Sequence, residues 1–175
     1  MAGVTDFNDL DGLLEQPIGQ GTCSMVHRVK VKRDTDQKRV FALKRFADSE
    51  AAFAYASTHA AIQSYLKVPC AYLLPVLKIL DDPAFKDSKV PAFLFPFVSG
   101  NFAQFLARLQ QSPALCPNDN VALVIAFSVL SALRSLQSCR PPWTHRTLHP
   151  KNILFQESSA RNPESQELQA LFLVA

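Results

Sequence analysis

His145-Arg146-Thr147-Leu148-His149-Pro150-Lys151-Asn152-Ile153-Leu154 is the stretch that orders the rest of this chain. On its own residues it is a Pro-containing turn that leads into an apolar Ile-Leu pair. Immediately before it, residues 121–133 (VALVIAFSVLSAL) form an apolar run of 13, broken only by Ser128 and Ser131. With Asn118 or Asp119 as cap, this run predicts a strongly apolar helix reaching about Cys139. It falls short of the roughly 20 residues that cross a bilayer, so no membrane span is expected. After the turn comes a polar loop over residues 156–169 (QESSARNPESQELQ) and a last apolar stretch over residues 170–175.

Further upstream, beyond Ser99-Gly100, Phe102, Phe105, Leu106 and Leu109 recur at three and four, as on a helix. Before that point the chain reads as β-rich. Residues 13–19, 25–32 and 38–46 form three strand-like stretches of an antiparallel meander. In the middle one Val26, Arg28, Lys30 and Lys32 alternate with His27, Val29 and Val31, which suits a sheet buried on one side. Residues 49–66 (SEAAFAYASTHAAIQSYL) have no Pro or Gly and predict one helix, N-capped by Asp48 or Ser49, with Phe53, Tyr55, Ala60, Ile62, Tyr65 and Leu66 on a broad stripe. Residues 73–80 and 92–98 predict two further strands, short or at an edge because of Pro75 and Pro96. A β-rich half to about Val98 and a helical half from Ser99 give two lobes, 1–98 and 99–175.

The 175 residues are 48% apolar and 19% charged, with 18 basic against 15 acidic side chains. A net charge of +3 without a run of five like charges makes nucleic acid an unlikely partner. The start, MAGVTDFNDLDG, has neither a basic nor an apolar signal segment, which points to a cytoplasmic protein. Cys23, Cys70, Cys116 and Cys139 are widely spaced, and reduced thiols are the default.

Three segments in order resemble parts of the protein kinase family. Ile18-Gly19-Gln20-Gly21-Thr22-Cys23-Ser24-Met25-Val26 resembles the Gly-rich loop, with Ser24 in place of the third glycine. Val40-Phe41-Ala42-Leu43-Lys44 is similar to the third kinase strand, and Lys44 follows Gly19 by 25 residues. The 145–154 segment resembles the catalytic loop HRDLKPxNIL, with seven of ten positions matching. The chain most resembles the Numb-associated kinase group, whose hinges are similar to Leu94-Phe95-Pro96-Phe97-Val98.

The resemblance implies an α+β, protein-kinase-like fold: a five-stranded antiparallel N-lobe sheet with one helix, then an incomplete helical C-lobe. It also implies ATP as ligand. Gly19, Gly21 and Ser24 would line the phosphates, Val26, Ala42 and Leu154 would sandwich the adenine, and Phe95 would be the gatekeeper. Backbone groups of Pro96 and Val98 would meet the adenine edge, Lys44 would bind phosphate, and Asn152 would hold Mg²⁺ weakly.

The departures matter as much. Thr147 stands at the catalytic Asp position, and an alcohol cannot accept the proton a carboxylate takes. His149 stands at the position of the Lys that neutralises phosphate charge. Counting back from Val68-Pro69 puts His59 where the family's helix Glu would pair with Lys44. The chain ends where a metal-binding Asp-Phe-Gly would begin, as in a C-terminally truncated kinase, and the 121–133 helix would then be bare unless a protein partner, a dimer or a local rearrangement covered it. The resulting expectation is a pseudokinase that binds ATP and serves as an interaction or regulatory module. The alternatives are a serine/threonine kinase using His149 as a substitute base, and a non-functional truncated fragment.

Overall fold

The computed structural model describes residues 4–12, 16–32, 40–65, 70–86, 89–111, 119–157 and 170–174. It has a mixed α+β architecture in two compact units, Met1–Ala61 with Pro75–Phe97, and Ile62–Leu74 with Val98–Ala175.

The first unit is built on one antiparallel sheet. Its strands are β1 (Leu10–Asp11), β2 (Gly19–Gln20), β3 (Ser24–Val31), β4 (Val40–Phe46), β5 (Lys78–Asp81) and β6 (Pro91–Pro96). Their order is β1-β3-β4-β6-β5, with β2 also on β3, so the sheet has six strands where five were expected. The alternation in β3 is realised: His27 and Val29 are buried, while Arg28 and Lys30 are exposed. Val29 joins Leu43, Leu80, Ala92 and Leu94 in a core closed by Val4, Phe7 and Leu10 from the N-terminal segment. That segment is pinned by a short 3-10 turn, Phe7–Asp9, in which Asp6 and Asp9 cap each other's backbone. Lys78 Nζ ties it down further by donating to the Val4 carbonyl.

Two strand predictions need correction. Residues 74–77 are not strand, because Pro75 has no N–H to give a ladder, and β5 starts only at Lys78. β6 lies inside the sheet between β4 and β5, with its prolines at its first and last positions, where the missing donors cost least. Of the expected strand over 13–19, residues 13–15 lie outside the described residues and only Gly19 is in a strand.

Helix α1 (Ser49–Tyr65) opens on Asp48, whose Oδ1 accepts from the Ala51 N–H at 2.7 Å. Its inward face carries Ala52, Tyr55 and His59, whereas Phe53, expected on the buried stripe, is 48% exposed. The Tyr65 side chain and Leu66 lie outside what is described.

The second unit holds α2 (Phe102–Gln111), α3 (Asp119–Gln137) and a second antiparallel sheet of β7 (Gly100–Asn101), β8 (Ile153–Glu157) and β9 (Ala170–Val174), in the order β7-β8-β9. This sheet was not expected from a half read as helical. Asn101 and Gln104 cap α2 reciprocally, each side-chain oxygen accepting from the other's N–H at 3.0 Å. Gly100 is there by necessity, since a Cβ would sit 2.8 Å from the Phe155 ring. Ile153 and Phe155 form the centre of this core, packed by Phe102, Phe105, Ile125 and Val129. No helix of the described residues is long and apolar enough to cross a membrane.

Candidate functional site

The expected site residues fall in both units. Gly19, Gly21, Ser24, Val26, Ala42, Lys44, Phe95 and Pro96 belong to the first, and Val98, Thr147, His149, Asn152 and Leu154 to the second.

In the first unit, strand register brings most of them to one face. Gly19 pairs with Val26, Val26 with Lys44, and Ala42 with Phe95. Paired residues in neighbouring strands share a face, so Gly19, Val26, Ala42, Lys44 and Phe95 line one side of the sheet, opposite the Val29–Leu43 core. Pro96 pairs with Phe41 and projects to the other side. The β2–β3 connection is a tight hairpin held by Gly21 N–H to Ser24 O and Ile18 N–H to Val26 O, both 2.8 Å. A Cβ at Gly21 would crowd Ser24 Oγ at 3.2 Å, but one at Gly19 would meet Val26 at an ordinary 3.6 Å. A Cβ is therefore tighter at Gly21 than at Gly19, where packing leaves room for one.

Lys44 is the electrostatic centre of this face. Its Nζ lies 4.2 Å from the centroid of the Tyr55 ring and 5.5 Å from that of Phe46. Phe93, paired with Lys44 across the sheet, completes the corner: Tyr55 meets it edge-on at 4.7 Å, and Phe46 at 5.9 Å. Among the described residues no carboxylate pairs with Lys44, and the ring faces offer it negative potential. Burial holds the Lys44 ammonium below the usual lysine range and pushes the Tyr55 phenol up to about 12, since both charged forms lose water there.

The count that set His59 opposite Lys44 is one helical turn out. Tyr55 occupies that place, and His59 packs four residues on against Phe93 with ring centroids 6.2 Å apart. Burial lowers the His59 pKa, and its Nε2 has no hydrogen-bond partner among the described residues, which fits a neutral imidazole. The neighbouring Arg45 has the opposite fate. It points to the other face and forks onto buried Asp82, with Nε and Nη2 each 2.7 Å from a carboxylate oxygen.

In the second unit, the 145–152 loop is tightly folded. Arg146 has φ 62°, a left-handed backbone that lets the Thr147 N–H reach the His145 carbonyl at 2.8 Å. Asn152 Nδ2 donates to the Thr147 carbonyl at 2.9 Å. His149 Nδ1 accepts from the Lys151 N–H at 3.2 Å, which caps the short Pro150–Asn152 turn and keeps the imidazole proton on Nε2. Thr147 is exposed, and its hydroxyl donates to the His145 carbonyl at 3.4 Å. Leu154 lies in β8 between Asn101 and Leu173, and Val98 is half-buried just before β7.

At position 147 this loop presents a hydroxyl rather than a carboxylate. It also offers a cation little: among the described residues no three His, Cys, Asp or Glu gather, and Asn152 contributes one neutral oxygen, whereas Mg²⁺ calls for carboxylates or phosphates in an octahedral shell.

No family model matches the chain, and no curated protein matches it. The aromatic corner of Phe46, Tyr55 and Phe93 was absent from the sequence-derived site. Period-two alternation already put Phe46 on the side of Lys44, so that part was available; Tyr55 needed the helix register, which sequence alone left a turn uncertain.

Proposed function

We propose that this chain is a protein-kinase-like pseudokinase that binds ATP on the Gly19–Lys44 face of its first sheet, does not transfer phosphate, and works as an interaction or regulatory module. The observation that carries the reading is the shared face of Gly19, Val26, Ala42, Lys44 and Phe95, with Lys44 toward one end and Arg28, paired with Ala42, beside the apolar residues. An adenine needs such an apolar strip, and phosphates need the cation and a hairpin backbone without a Cβ in the way. Gly19, which packing does not require, fits that use.

The same geometry argues against transfer. Thr147 supplies a hydroxyl that donates to a carbonyl, His149 spends Nδ1 on a backbone cap, and Asn152 is a poor metal site by itself. Phosphate charge would fall mainly on Lys44, so Mg²⁺ should add little to affinity.

The test is a thermal-shift titration with ATP, with and without Mg²⁺, beside a γ-phosphate transfer assay. A saturable rise in melting temperature that persists in EDTA, with no transfer, supports the proposal. Phosphate transfer by the wild type would contradict it, as would a melt unmoved by nucleotide.

A further inference from the structure

The face proposed to hold nucleotide is laid out in successive rungs across the sheet. Gly19, Val26, Lys44 and Phe93 lie side by side on one rung, and Arg28, Ala42 and Phe95 on the next. Each strand advances by two residues between them, about 7 Å, a gap that a ribose spans. The first rung carries the ammonium and the glycine hairpin for phosphates. The second is where the base would lie, and it contains a guanidinium.

Arg28 is more than a solvated surface charge. Its Cζ sits over the Phe97 ring, 5.4 Å from the centroid. Strand β4 lies between β3 and β6, and Phe97 follows β6 directly, so the Arg28 side chain crosses β4 to reach that ring. Ala42, opposite Arg28 and bearing only a methyl group, leaves room for the crossing. The Phe97 ring thus holds the guanidinium at the end of the strip away from Lys44. Among the described residues no carboxylate pairs with Arg28, while Lys30, the next outward residue of β3, has Asp11 opposite it. A guanidinium over a ring keeps N–H groups at its edge for a ligand.

Those groups donate and never accept, which discriminates between purines. A 6-oxopurine presents O6 and N7, two acceptors side by side that a guanidinium takes as a fork. Adenine presents N7 beside an amino group, whose own N–H meets the donors of the arginine. We infer that Arg28 reads the base, and that this face takes a 6-oxopurine nucleotide, one of guanine or hypoxanthine, in preference to ATP. The inference rests on the nucleotide-binding reading above and names the base it favours. Lys44 and the hairpin serve any triphosphate alike, so ATP still binds, but more weakly.

Isothermal titration of GTP, ITP and ATP into wild type, Arg28→Met and Arg28→Lys, all in EDTA, tests this. The three ligands share the triphosphate, so only the base differs. GTP and ITP are expected to bind wild type at least about fivefold more tightly than ATP. Arg28→Met keeps an apolar stem but no donor, and should bring the three within about twofold, chiefly by weakening GTP and ITP. Arg28→Lys, a point charge without the fork, should fall between. Arg28 is exposed, so both variants should fold as wild type does, which melting curves check. ATP bound as tightly as GTP, ITP behaving like ATP, or a preference that survives Arg28→Met would each overturn the inference and leave nucleotide binding standing. No heat from any of the three at millimolar concentration would overturn the nucleotide-binding reading and this inference with it.

Discussion

Replacing Lys44 with Met should stabilise the protein. In most folds, removal of a half-buried lysine costs stability because an ion pair goes with it. Here the ammonium sits among Phe46, Tyr55 and Phe93 with no carboxylate among the described residues, so it has given up water for ring faces alone. A desolvated cation–π contact returns about 0.5–2 kcal/mol, whereas an effective desolvation penalty of several kcal/mol per buried ion opposes it. Met keeps the length and packing of the stem and removes the charge. The balance is a gain of about 1 kcal/mol at neutral pH, or about 2–4 °C in Tm for a chain of this size. The sign of the pH dependence follows from the lowered pKa of Lys44. Between that lowered value and 10.5 the unfolded chain holds a proton the folded chain has released, so wild-type stability rises with pH across this window. The advantage of Lys44→Met is therefore largest at neutral pH and fades toward pH 10. Differential scanning calorimetry of both proteins from pH 6.5 to 9.5 measures it. A variant less stable than wild type by more than about 1 kcal/mol, or a difference constant with pH, would refute the reasoning, because either result requires a partner that pays for the charge.

Tyr55→Phe keeps the ring over Lys44 but removes a phenol held at about 12, so the loss of stability expected in wild type as pH rises from 10 toward 12 should shrink; absorbance titration of the three tyrosines should show one ionising late and missing from the variant. Gly100→Ala drives a Cβ to 2.8 Å from Phe155 and should cost about 1–3 kcal/mol, while Gly19→Ala, with its nearest contact at 3.6 Å, should change stability by less than about 1 kcal/mol in chemical denaturation. Asp82→Ala strips a forked partner from Arg45 and should cost about 3 kcal/mol by the same measurement. His27→Leu should stabilise by about 1 kcal/mol, because the buried imidazole has no hydrogen bond at either nitrogen among the described residues.

Local signals carried well into the structure. The absence of Gly and Pro over 49–66 and the Asp48 cap became α1, and the Phe102–Leu109 spacing became α2. Alternation in β3 also fixed which side of the sheet is core. What failed was non-local or depended on register. β7 is two residues long, and β8 and β9 are separated by a polar segment, so their pairing has no short-range signature. Pro75 and Pro96 were given the same meaning, although one prevents a strand and the other ends one, and only the neighbouring ladder distinguishes them. At the site, the family resemblance grouped Val26, Ala42 and Lys44, and the strand register sets them on one face, whereas the partner of Lys44 depended on helix phase, where a four-residue error exchanges His59 for Tyr55.

The central claim is that the Gly19–Lys44 face holds nucleotide. Isothermal titration of ATP into wild type and Lys44→Met, in EDTA, tests it most directly, because the variant is expected to be the more stable protein and loss of binding in it cannot be ascribed to unfolding. The account predicts saturable binding to wild type, weakening as pH rises and Lys44 gives up its proton, and at least about tenfold weaker binding to the variant. Equal affinity in the two proteins, or no heat of binding in wild type at millimolar ATP, would contradict it.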